Sequence, residues 1–148
     1  MHMKSWIAGA AIALSVLPGI SQARDTMMLL PFDKVVQQMT QEGKLDGSVR
    51  FHLAGVQPRG KVTVLSANAV TNKKTNAFNK TDPEACEWVL QSAILQLNEA
   101  AKGAGANAVT NIASYYKKIE RKDPVNFECH VGAIIAGVAL KGDLSKVN

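Results

Sequence analysis

The chain has 148 residues, 17 Lys and Arg against 12 Asp and Glu, and a net charge of +5, with 47% of its residues apolar. That length suits one compact domain around a single hydrophobic core and leaves no room for a second. Aromatic residues make up only 5% and do not interleave with the cations, which argues against a stacking platform for single-stranded nucleic acid, while the modest positive charge permits an acidic partner.

At the N-terminus, Lys4 precedes an uncharged run from Trp6 to Leu17, a Pro18-Gly19 break, and the small residues Ser21 and Ala23. This is the order of a secretory signal cleaved after Ala23. The expectation is a signal peptide over 1–23 and a mature chain from Arg24 that is periplasmic or secreted. A membrane-spanning helix needs about 20 apolar residues, more than this run supplies. No cysteine follows the cleavage point to carry a lipid anchor.

In the mature chain, Phe32, Val35, Val36 and Met39 fall at helical spacing and mark a short amphipathic helix ending near Gly43. Val49, Phe51 and Leu53 alternate within Ser48–Gly55, the pattern of a half-buried strand. Gln57-Pro58-Arg59-Gly60 supplies turn chemistry, and Lys61–Asn72 resumes the alternation at Val62 and Val64, so the two strands are expected to form a hairpin.

From Asp82 the period becomes helical, with Val89, Ala93, Leu97 and Ala100 flanked by Leu90, Ile94 and Ala101. Thr81 or Asp82 can cap this long helix, Pro83 suits its first turn, Glu84 completes a capping box with Thr81, and Gly103 and Gly105 close it. Strands are expected at Asn107–Tyr116 and Phe127–Leu140, joined by the charged loop Lys117–Pro124. A helix is the alternative for the Gly/Ala-rich last run, because periodicity alone does not separate the two. If the strands before and after the long helix are parallel neighbours, their connection is a right-handed crossover. The resulting fold class is α+β: a sheet of about four strands packed by one long helix, with a short preceding helix.

Ala-Asn-Ala-Val-Thr-Asn occurs twice, at Ala67–Asn72 and Ala106–Asn111. One pair is too little for a repeat architecture. It reads as two similar strand environments whose asparagines satisfy backbone groups.

Gly55-Val-Gln-Pro-Arg-Gly60-Lys61 matches a phosphate-binding loop until Val62, which stands where Ser or Thr would hold magnesium. A strand pattern follows instead of the required helix, and Pro58 removes an amide from the cradle. The segment is expected to be a turn, with no nucleotide and no cofactor.

Cys86 and Cys129 are the only cysteines, and an even count in an exported chain favours a disulfide between them. Their separation is not that of a C-x-x-C redox centre. Cys86 falls in the first turns of a helix, however, where a thiol pKa is lowered, so a thiol- or metal-dependent activity around Cys86, Cys129 and His130 is the alternative. Cys129 and His130 are adjacent on a strand and point to opposite faces, which opposes joint chelation, and His52 stands alone, so no metal site is expected. Tyr115, Tyr116, Lys117, Lys118, Arg121 and Lys122 form one cationic, aromatic-edged cluster, diluted by Glu120 and Asp123. It is a candidate contact for an anionic partner.

The segments Thr81–Trp88, Gly105–Val109, Ser114–Lys117 and Glu128–Gly142 resemble a family of small exported bacterial proteins often labelled excinuclease ATPase subunit-like. The ATPase and zinc domains that this label implies have no counterpart in the sequence. More distantly, a helix followed by Gly-Ala-Asn-Ala-Val and a Cys-bearing Gly/Ala-rich strand is similar to the sensor lipoprotein of the Rcs envelope-stress pathway and to the YbjQ-like fold. The chain lacks the lipoprotein cysteine. The likeness implies an α+β domain and, by analogy with the YbjQ-like proteins, homo-oligomers. The expected role is non-enzymatic, a binding or structural function toward an unidentified envelope component.

Overall fold

The computed structural model describes residues 24–148; the expected signal peptide, 1–23, lies outside the described residues. The helices form where their local signals stand. Phe32, Val35 and Met39 line the buried face of α1 (Phe32–Gln41), with Val36 partly buried beside them. Gly43, at φ +75°, then turns the chain away with a backbone conformation that a side chain would disfavour.

The long helix, α2 (Asp82–Gly103), opens on a reciprocal cap. The Thr81 hydroxyl accepts from the Glu84 amide at 3.3 Å, and the Glu84 carboxylate accepts from the Thr81 amide at 3.2 Å. Two of the orphan amides at that end are satisfied in this way. The cap is therefore Thr81 and not Asp82, whose carboxylate pairs with Arg24.

The expected four-stranded sheet is corrected to a curled, six-stranded one. Its strands are β1 (Thr26–Pro31), β2 (Arg50–Leu53), β3 (Val62–Asn76), β4 (Ala108–Ser114), β5 (Asn126–Val131) and β6 (Ile135–Val147). β1 escapes a sequence reading because Met27-Met28-Leu29-Leu30 is uniformly apolar. Only its antiparallel pairing with β5 makes alternate side chains inward and outward. The run expected as one strand over Phe127–Leu140 is two, divided at Gly132–Ile134 by a tight turn in which the Gly132 amide donates to the Ile135 carbonyl at 2.7 Å. Gly and Ala on both sides of that turn blur it.

Pairing also departs from expectation. β2 and β3 do not form a hairpin: β2 pairs in parallel with β4, and β3 pairs along its length with β6. β6 is the central strand. β3 occupies one of its edges, while β5 and β4 follow one another along the other, at Ala136–Gly137 and at Leu140–Ser145. Both β3 and β4 run antiparallel to β6, so they are parallel to each other but are not neighbours, and the β3–α2–β4 passage straddles β6.

Helix α2 lies across β3 and β6 and reaches β5 and β4. Its buried face includes Val89, Leu90, Ala93, Ile94 and Leu97, packed against Phe127, Val138 and Leu140 in one core. Each fully buried Leu, Ile or Phe contributes about 1.5–3 kcal/mol. Gly142 leaves room for the side chains of β4, since a Cβ there would stand 2.8 Å from Val109 Cγ1 and 3.2 Å from Ile112 Cγ1. Cys86 and Cys129 are fully buried in this core and joined by a disulfide, Cα to Cα 5.8 Å, which ties the start of α2 to β5.

The two hexapeptides lie along β3 and at the entry to β4, on opposite sides of β6. Asn107 closes on the Val147 backbone from both directions, its Nδ2 donating to the carbonyl at 2.9 Å and its Oδ1 accepting from the amide at 2.8 Å. Asn68 and Asn111 take positive φ where the ladder register shifts. Gly55–Lys61 forms a turn leading into β3, and Lys61 pairs its backbone with Asn148.

Candidate functional site

Alternation along β5 puts Phe127, Cys129 and Val131 into the core and leaves Asn126, Glu128 and His130 on the opposite face. The charged segment after β4 folds back over that face. It is held by a backbone bridge between Ser114 and Arg121 and by the Tyr115 amide, which donates to the Ala139 carbonyl at 2.9 Å. A single 3-10 turn at Tyr116–Lys118 then reverses the chain, with Lys117 and Lys118 both at positive φ.

The two tyrosines are anchors. Tyr116 stacks on His130 with ring centroids 3.5 Å apart and planes 8° from parallel. Lys141 Nζ lies 5.3 Å from the Tyr115 ring centroid and 3.4 Å from Glu120. The second acid of the loop, Asp123, accepts from the amides of Asn126 and Val125, both at 2.9 Å, and these bonds hold its pKa below the usual carboxylate range. Both acids that dilute the cluster in sequence are therefore engaged by Lys141 or by backbone. Lys117, Lys118, Arg121 and Lys122 are exposed, and none lies within 4.0 Å of a carboxylate among the described residues.

His130, beneath Tyr116, has Nε2 2.5 Å from Glu128 Oε1 and Nδ1 3.1 Å from Asp25 Oδ1. Only the doubly protonated ring donates to both carboxylates. They sit at opposite edges of the ring and do not converge on one point. Among the described residues no group of three or more His, Cys, Asp or Glu is arranged to hold a metal ion. A cleft of about 260 Å³ beside this cluster is lined by Arg24, Lys74, Tyr116, His130 and Ile135 among others.

The structure thus brings the six predicted contact residues into one loop, and Cys86 and Cys129 into a bond. With both sulfurs bonded and buried, neither presents a thiolate to solvent. His130 faces away from Cys129 toward the loop. Sequence reasoning missed its partners: Glu128 was accessible in principle, two positions away on the same strand face, but Asp25 arrives only through the pairing of β1 with β5. His52 lies near Arg50 in a second cleft of about 550 Å³ that also includes Arg59 and Asn107. Burial, followed by the Arg50 charge, lowers its pKa.

Comparison of the chain with protein-family models, curated proteins and solved structures finds no significant match in any of the three.

Proposed function

We propose that this is an exported, non-enzymatic envelope protein that binds an anionic envelope component through the loop carrying Tyr115, Tyr116, Lys117, Lys118, Arg121 and Lys122. The observation that carries this reading is the sorting of charge in that loop. Glu120 and Asp123 are held by Lys141 and by backbone amides, while four cations face solvent with no carboxylate within 4.0 Å among the described residues. A solvated loop with mixed charge would need no such division. The tyrosines fix the presenting geometry, so little ordering entropy is lost on contact.

Export is supported by the signal-like order of Lys4 to Ala23 and by the buried disulfide, which suits an oxidising compartment. The resemblance to small exported bacterial proteins points the same way.

The test compares surface binding of the mature protein to immobilised anionic polysaccharide, anionic lipid and their neutral counterparts. Replacing Lys117, Lys118, Arg121 and Lys122 together by Glu should abolish an anion preference that falls with added salt. Equal binding by the parent and this variant would refute the reading. Intact mass of periplasmic protein should correspond to a chain beginning at Arg24.

A further inference from the structure

A second surface adjoins the cationic loop. Where β3 ends and β6 begins, Phe78, Ile134 and Ile135 are 64%, 62% and 48% exposed and line a groove of about 490 Å³ together with Lys74, Thr75 and Asn76. The loop that carries Phe78 is tied to the turn that carries Ile134, because the Ala77 amide donates to the Ile134 carbonyl at 2.8 Å. The two apolar tips therefore project as one rigid knuckle. Keeping such side chains in water is unfavourable unless something covers them.

Cations surround the knuckle. Lys74 lines both this groove and the cleft that Tyr116 lines, and Ile135 does the same, so the apolar tip runs directly into that cleft. On the other flank Lys80 donates to the Asn76 carbonyl at 2.9 Å and stands 5.9 Å from the exposed Trp88 ring. Neither Lys74 nor Lys80 forms an ion pair among the described residues. The nearby acids are otherwise engaged, Asp82 with Arg24, Asp25 with His130 and Glu84 in the helix cap.

The chain also enters the domain here. The Arg24 carbonyl lies 3.3 Å from where a Cβ on Gly132 would be, beside the Ile134 turn.

We infer that the knuckle of Phe78, Ile134 and Ile135, flanked by Lys74 and Lys80, docks on an anionic lipid bilayer, with the apolar side chains entering the interface and the lysines meeting the headgroups. This rests on the proposed anionic partner and names it as a lipid surface. An apolar tip flanked by lysines matches the chemistry of an anionic bilayer interface. Among the described residues no helix is long and apolar enough to cross a membrane; the contact is interfacial.

The test is sedimentation of the mature chain from Arg24, which contains the whole sheet and core, with vesicles of phosphatidylglycerol and phosphatidylethanolamine or of phosphatidylcholine alone. Binding is expected only to the anionic vesicles, weakening with salt. The exposed double substitution Phe78→Ser/Ile134→Ser should weaken it at least about tenfold, and Lys74→Gln by about fivefold, as one lysine at an anionic surface is worth. Unchanged circular dichroism and melting temperature would establish that these variants fold. If anionic vesicles bind the double variant as well as the parent, while Glu substitution in the loop abolishes binding, the knuckle proposal fails and the anionic partner stands. No vesicle binding also overturns it. So does a concentration-dependent dimer dispersed by Phe78→Ser/Ile134→Ser, which would make the knuckle a contact between copies of this chain.

Discussion

Breaking the bond between Cys86 and Cys129 probes how the fold is held together. The two residues are separated by 43 positions, for which the chain-entropy relation gives about 4 kcal/mol of stabilisation at 25 °C. A domain of this size has about 5–15 kcal/mol in total, so loss of the link consumes a large share. Alanine is the better replacement, because both positions are fully buried and a serine hydroxyl without a partner there would add about 1–3 kcal/mol of its own. Cys86→Ala and Cys129→Ala should each lower the urea midpoint by about 2 M at an m-value of about 2 kcal/mol/M. The double variant should cost little more than either single one, since all three remove the same link. Reductant should shift the parent toward the variants and leave the double variant where it is. The reasoning is refuted if thiol labelling of the protein isolated without reductant finds both cysteines reactive, or if the single variants stay within about 1 kcal/mol of the parent.

Gly142→Ala places a methyl against Val109 and Ile112, both fully buried, and should cost about 1–3 kcal/mol through overpacking; a thermal melt equal to the parent's would show that β4 and β6 pack more loosely than described. Thr81→Ala removes the hydroxyl that accepts from the Glu84 amide and should cost about 1 kcal/mol in urea denaturation, whereas Asp82→Asn should leave the cap intact. The His52 pKa is lowered in the fold, chiefly by burial, so the unfolded chain binds the proton more readily. Its contribution is present above the ordinary histidine value and is lost as pH falls through the folded one. Urea midpoints taken at descending pH should therefore decline less steeply in His52→Gln than in the parent, and parallel profiles would remove His52 from the account.

Features governed by neighbours in sequence were legible before any coordinates. The Thr81–Glu84 cap spans a single helical turn, the faces of α1 and α2 follow from side chains three and four positions apart, and the opposition of Cys129 and His130 needs only the two-residue period of a strand. A pairing of the two cysteines was legible for a different reason: a chain with only two cysteines has one possible intramolecular bond. Partnership between strands was not legible. Val62 and Val64 alternate equally well beside β2 or β6, and only the burial of a common face against α2 decides that β6 lies between β3 and β4. β1 has no period of its own and acquires an inner face only by joining β5. The same holds for the candidate site. The sequence names the cations of the loop. That Glu120 is engaged by Lys141, that Tyr116 rests on His130, and that Phe78 meets Ile134 beside Lys74 are contacts between separate segments of the chain, set by how the whole sheet folds; Asp123 alone is held by its own sequence neighbours, Val125 and Asn126.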